Sequence, residues 1–159
     1  MNLINPWLWL VPVGGMLLLV LLWRCHGLGR IILAERARES FRLQHKRLED
    51  MFLETASKTG SPRGLRWLGC EFSDEVAFAK ERRSRCIAAL VGVTVQFEAI
   101  EGGDMEGLPA VPLPRQATAV LNFVRGEWSA TGRVLFNLQP AQALERLAAE
   151  YEALPTTSH

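Results

Sequence analysis

The stretch Val91-Gly-Val-Thr-Val-Gln-Phe-Glu-Ala99 decides the fold. Val91, Val93, Val95, Phe97 and Ala99 recur at the two-residue period of a β-strand, while Gly92, Thr94, Gln96 and Glu98 take the opposite face. A helix would scatter the same residues around its circumference. The pattern predicts a strand in a sheet with one dry and one wet face, a common arrangement in antiparallel sheets. A slip of one residue would carry the polar positions into the core, so the register is pinned.

Moving towards the N-terminus, Leu65-Arg-Trp-Leu-Gly-Cys-Glu-Phe72 reads as a first strand with Leu68, Cys70 and Phe72 on one face. Val76 to Lys80 reads as a second, and Lys80-Glu-Arg-Arg-Ser-Arg85 as a polar hairpin tip. Moving the other way, Glu101 to Arg115 forms a long turn-rich loop with Gly102-Gly103-Asp104 and three prolines. Ala117–Val124 and Trp128–Leu138 make a hairpin around Arg125-Gly126, with Trp128, Ala130, Val134, Phe136 and Leu138 on one face. Gly132 among them predicts a bulge or bend. Pro140 opens a helix in the first-turn position that suits proline, Leu144, Leu147, Tyr151 and Leu154 form its apolar stripe, and Pro155 ends it. The order predicts an α+β domain over residues 61–155: a curved antiparallel sheet of about five strands with a C-terminal helix, then a flexible tail at 156–159.

Residues from about Arg30 to Ser57 contain no Gly or Pro and predict one helix, closed by Gly60-Ser-Pro62. Ala34, Ala37, Phe41, Leu48, Met51 and Phe52 supply its apolar stripe. Ala34, Phe41 and Leu48 share a heptad position, but Gln44 interrupts the second seam. The expectation is a helix whose distal half packs on the domain; a homo-oligomer through this juxtamembrane segment, residues 25–60, is the alternative.

From Met1 to Trp23 there is no charged side chain. A helix from Leu3 to Arg24 measures about 32 Å, enough for a ~30 Å hydrocarbon layer. Trp7 and Trp9 near one end, and Trp23 with Arg24 and Arg30 at the other, are the expected membrane-interface residues. Residues 1–24 therefore predict a transmembrane anchor in the lipid bilayer. The segment lacks the basic start and small-residue cleavage site of a secretory signal. Lys and Arg crowd the side after Trp23 and are missing before it, which places the N-terminus outside and the domain on the cytoplasmic face of the inner membrane. Three cysteines, Cys25, Cys70 and Cys86, with no metal-type spacing suit a reducing compartment.

Signs of chemistry are sparse. His26, His45 and His159 lie in the juxtamembrane region or the tail, so no Ser-His-Asp or Cys-His set assembles. Cys70 falls on an apolar phase. Glu101, Asp104 and Glu106 lack the ligand repeat of a calcium loop, and Gly102-Gly103 precedes no phosphate-binding helix. The expectation is no enzyme, no cofactor and no metal. A net charge of +1 gives no whole-chain argument for nucleic acid. The tip around Arg82, Arg83 and Arg85 reads as a solvated hairpin end. The loop from Glu101 to Arg115 exceeds the usual connection length. Asp104, Met105, Leu108 and Leu113 in it are the candidate contacts for a membrane or cytoplasmic protein partner.

The helix–meander–helix order is similar to that of the cystatin-like and NTF2-like cone folds, a resemblance that implies a concave sheet able to hold a ligand or a partner. Pro62-Arg-Gly-Leu-Arg-Trp67, Phe97-Glu-Ala-Ile-Glu-Gly-Gly103 and Gly132-Arg-Val-Leu-Phe-Asn-Leu138 resemble segments of small membrane-anchored proteins of planctomycete bacteria. That likeness implies no activity and no site residues. The functional expectation is an anchored accessory or interaction protein, with a small-ligand or enzymatic cone fold as the alternative.

Overall fold

A computed structural model describes residues 15–19, 32–59 and 62–155. Trp7, Trp9, Trp23, Arg24, Arg30 and the tail at 156–159 lie outside the described residues, as does the expected anchor apart from 15–19. Residues 15–19 are helical, and Met16 to Leu19 are exposed. Among the described residues no helix is long and apolar enough to cross a membrane. The chain divides into two compact units, Met1–Glu39 and Ser40–His159. In the first, residues 32–39 are helical and Arg38 pairs with Glu35 one turn away at 2.6 Å.

The second unit is an α+β domain. Residues 40–43 are helical, a turn falls at Gln44, and helix α1 follows over His45–Thr59. Its buried positions Leu48, Glu49, Phe52 and Ala56 recur at three- and four-residue steps, so one stripe faces the sheet. The sheet contains β1 (Leu65–Glu81), β2 (Ile87–Ala99), β3 (Arg115–Val124) and β4 (Glu127–Phe136). Helix α2 (Pro140–Arg146) and a short β5 (Tyr151–Ala153) complete it. Strand order is β4-β3-β2-β1-β5, with each neighbouring pair antiparallel.

Four sequence expectations are corrected. The strands expected at Leu65–Phe72 and Val76–Lys80 are one long strand, β1. Ser73-Asp74-Glu75, which resembles a turn in composition, is a bulge between Phe72 and Val76 that leaves the pairing with β2 intact on both sides. A second bulge between Trp67 and Gly69 ejects Leu68, which is 58% exposed rather than on the apolar face with Cys70 and Phe72. Lys80 lies inside β1 and is buried, not on the hairpin tip. The helix expected to run to Pro155 stops at Arg146; turns follow, and Tyr151–Ala153 adds a strand to β1 through Glu81↔Tyr151, Lys80↔Glu152 and Ala79↔Ala153. Leu144, Leu147 and Tyr151 mimic a helical stripe because the helix and the strand bury residues against the same core.

β2 lies centrally and is buried on both faces from Ile87 to Val93. Under α1, aromatic rings form a continuous layer: Phe52–Trp67 at 6.4 Å, Trp67–Phe97 at 4.8 Å, Phe97–Phe136 at 6.1 Å and Phe123–Trp128 at 5.1 Å. Burying Phe52, Trp67, Phe97, Phe123 and Trp128 stabilises the fold by about 1.5–3 kcal/mol each, while Phe136 at the rim stays partly exposed. On the opposite face α2 and β5 cover Ala79, Ala88, Leu90 and Val120 with Ala143 and Tyr151. The wet face expected of β2 is therefore wet only towards its end, where Gln96 is exposed.

Gly132 shows why the helix can approach β4. Its φ of +74° sits in the left-handed region, and a Cβ there would stand 2.7 Å from the Thr59 hydroxyl oxygen. The strand bulges at this point, between the pairs Leu121↔Ala130 and Ala119↔Val134. The bulge curls the sheet beneath α1.

Candidate functional site

The loop between β2 and β3 is built from successive tight turns. Gly103 N–H donates to Ile100 O at 2.9 Å, Glu106 N–H to Gly103 O at 3.0 Å and Val111 N–H to Leu108 O at 3.1 Å. The Glu106 carboxylate accepts from Gly102 N–H at 2.8 Å and closes the first turn from inside. Two contacts fasten the loop to the start of β1. Ile100 N–H donates to Gly64 O at 3.0 Å, and Met105 packs over Gly64, its Cγ 3.1 Å from where a Cβ would stand. Gly64, at φ +74°, is thus fixed by both backbone and space.

With Met105 half-buried and Val111 buried, the remaining apolar side chains turn outward: Ile100 is 51% exposed, Leu108 47% and Leu113 59%. Asp104 is exposed as well. Of the four candidate contact residues, Met105 is a fastening residue, and Asp104, Leu108 and Leu113 are presented to solvent. Ile100 was not singled out by sequence, although its place just past the alternating run of β2 marks it as an apolar residue without a sheet partner. Residues 100–114 carry three acidic side chains and no basic one.

A second feature lies on the α2 face, a cleft of about 390 Å³ lined by Ser73, Glu75, Gly92, Thr94, Gln116, Leu138 and Gln139. Its polar groups are largely spoken for. Ser73 Oγ donates to Gly92 O at 3.1 Å and accepts from Glu75 N–H at 3.3 Å, and Gln116 Nε2 donates to Thr94 Oγ1 at 3.1 Å. The Ser73 hydroxyl occupies the space that a side chain at Gly92 would need. Under α1 the sheet face is filled by Phe52, Phe97 and Trp128, Phe97 being 1% exposed.

Cys70 is half-buried beside α1, and its Sγ donates to Glu49 O at 3.7 Å. Burial pushes its thiol up to about 12, with the Glu49 carboxylate adding to the rise. At neutral pH it is a protonated thiol, without the thiolate that nucleophilic chemistry needs. His45 packs edge-on against Phe72, ring centres 5.6 Å apart, and also against Phe41 at 5.9 Å. Among the described residues no group of three His, Cys, Asp or Glu side chains has the geometry to hold a metal ion.

Sequence reasoning missed Glu49. It is a buried carboxylate that accepts the Phe72 N–H at 3.2 Å and pairs with Lys46. An acidic residue within the stripe of Leu48, Phe52 and Ala56 was the available signal. Its chemistry is structural: it satisfies a backbone donor at the edge of β1, just before the bulge. The chain matches no family model, no curated protein and no solved structure.

Proposed function

We propose that this chain is a single-pass membrane-anchored interaction protein that presents its α+β domain on the cytoplasmic side, as a subunit or partner of a membrane complex. The observation that carries the reading is the loop over residues 100–114. It is stapled by its own hydrogen bonds and by Met105 over Gly64, yet leaves Ile100, Leu108 and Leu113 between 47% and 59% exposed. Holding apolar side chains rigidly in water lowers the ordering cost of docking a protein on them. The uncharged run from Met1 to Trp23 and the basic flank after it supply the anchor and its direction. The filled face under α1 argues against the alternative, a ligand held in the concavity of the sheet, because Phe97 and Trp128 occupy that space.

The test is to place a photo-crosslinking residue at Leu113 in the full chain and irradiate native membranes. A discrete adduct with one protein, lost in a Leu108→Asp/Ile100→Asp background that still folds, is the expected result. Recovery of the uncrosslinked chain alone, together with a lone monomer after mild-detergent purification, contradicts the reading.

A further inference from the structure

Both short hairpin turns of the domain lie at the same end of the sheet. Lys80 pairs with Ile87, Ile87 with Phe123 and Phe123 with Trp128, so these four residues form one row across β1 to β4. The β1–β2 turn at residues 82–86 and the β3–β4 turn at Arg125-Gly126 rise just beyond that row. Two strand spacings separate them, roughly 10 Å, about one Debye length at physiological salt.

Arginine dominates both turns. Arg82 folds back, its Nε donating to Ala148 O at 3.1 Å, whereas Arg83, Arg85 and Arg125 are exposed. Arg85 has φ +65° and Arg125 φ +54°. Such positions favour Gly, Asn or Asp, and neither local turn geometry calls for arginine. Glu81 accepts a hydrogen bond from the Ser84 hydroxyl, and Glu127 is the acidic neighbour of the second turn. The domain also begins at this end: Phe41, the second residue of the unit, packs on Phe78 at 5.8 Å and on Trp128 at 5.5 Å. The other end of the sheet carries the acidic loop with Glu101, Asp104 and Glu106. Exposed Glu150 and Glu152 also stand at the turn-bearing end, and Arg63 and Arg115 flank the acidic loop, so what sets the turn-bearing end apart is the outward arginines at the tips of its two turns, beside the point where the chain enters.

We propose that this turn-bearing end is a docking surface for anionic lipid headgroups, contacted by Arg83, Arg85 and Arg125. The proposal rests on the reading of residues 1–24 as an anchor, since a tether attached at this end brings it to the bilayer. Arginines near an anionic leaflet each strengthen association about fivefold, so three together contribute on the order of 100-fold to the docking equilibrium. Docked in this way, the acidic loop with Leu108 and Leu113 points away from the lipid.

The experiment uses the full chain in nanodiscs of phosphatidylcholine, with or without phosphatidylglycerol, and follows hydrogen exchange by mass spectrometry. Phosphatidylglycerol is expected to slow exchange at residues 82–86 and 125–127 and to leave 100–114 unchanged. The triple variant Arg83→Glu/Arg85→Glu/Arg125→Glu, or high salt, should remove that slowing. Arg83→Gln/Arg85→Gln/Arg125→Gln serves the same end if charge reversal impairs folding. Equal exchange at both turns in the two lipid mixtures, with the chain still inserted, overturns the docking surface and leaves the anchor standing. If alkaline carbonate strips the chain from vesicles, the anchor reading fails instead. Docking is then judged by flotation with phosphatidylglycerol vesicles, which supports it if the three arginines are required and overturns it if nothing floats. Binding of RNA in place of these vesicles at equal salt also overturns it.

Discussion

The Glu49 carboxylate accepts the backbone N–H of Phe72 at 3.2 Å, joining the middle of α1 to the last paired residue of β1 before its bulge. A strand at this edge would otherwise bury an unpaired donor, because β5 covers only Ala79 to Glu81. The same glutamate holds Lys46, whose ammonium is kept protonated to higher pH by that hydrogen bond and ion pair. Glu49→Ala should destabilise the domain by about 1–3 kcal/mol, the cost of orphaning a buried N–H. Glu49→Gln keeps an acceptor and should lose less. Urea denaturation of both variants measures the difference; equal losses would show that Phe72 gains nothing from the contact.

Gly132→Ala should cost about 2 kcal/mol or more, since it adds left-handed strain to a clash with Thr59. Gly126→Ala carries the strain without the clash, because open space surrounds it. It should cost less. Thr59→Ala placed in the Gly132→Ala protein should restore part of the loss, and thermal melts of the four proteins give the comparison. A Gly132→Ala protein as stable as the parent would mean that the helix does not approach the strand this closely.

The sequence showed the fold where local patterns decide it, and failed where a distant partner does. The alternation in β2, the turn at Arg125-Gly126, the bulge at Gly132 and the start of α2 at Pro140 are set by neighbouring residues, and each is found where expected. The continuity of β1 through Ser73-Asp74-Glu75 depends on β2 pairing on both sides of the bulge, which no local signal reports. Tyr151–Ala153 becomes a strand because the edge of β1 is open to it, although its spacing from Leu144 and Leu147 fits a helix equally well. In the loop, Leu108 and Leu113 could be read as exposed from the prolines around them. The fastening of Met105 over Gly64 could not, since the two are 41 residues apart in sequence and meet only because β1 and β2 pair.

The two faces of the sheet should contribute separately. Phe52→Ala removes the ring that α1 lays on Trp67 and Phe72, and is expected to cost about 3–5 kcal/mol. Leu90→Ala opens the core beneath α2 and β5, at a cost of about 2–5 kcal/mol. Denaturation that leaves either variant within about 0.5 kcal/mol of the parent, the range usual for exposed sites, would contradict the burial assigned to it.

Cys70 gives the domain an alkaline limit. Unfolded, its thiol titrates near its ordinary value of about 8.5, whereas in the fold burial holds it protonated up to about 12. As pH rises the unfolded chain loses this proton first. The contribution is therefore full below the unfolded value and is lost as pH climbs towards the folded one. Chemical denaturation from neutral to alkaline pH should show a steeper fall for the parent than for Cys70→Ala, whatever their starting stabilities. Parallel profiles would rule out the shift. In the native protein at mildly alkaline pH, Cys70 should also alkylate slowly and react at the ordinary rate once denatured.

The proposal that matters most is that residues 1–24 cross the membrane once and leave the domain on the cytoplasmic side, and protease added to right-side-out vesicles tests it most directly. Every Lys and Arg of the chain lies at Arg24 or beyond, and translocating such residues is costly. The domain is expected to remain intact until the vesicles are opened, and the chain to resist extraction by alkaline carbonate. Digestion of the domain in sealed vesicles would contradict the orientation, and release by carbonate would contradict the anchor itself.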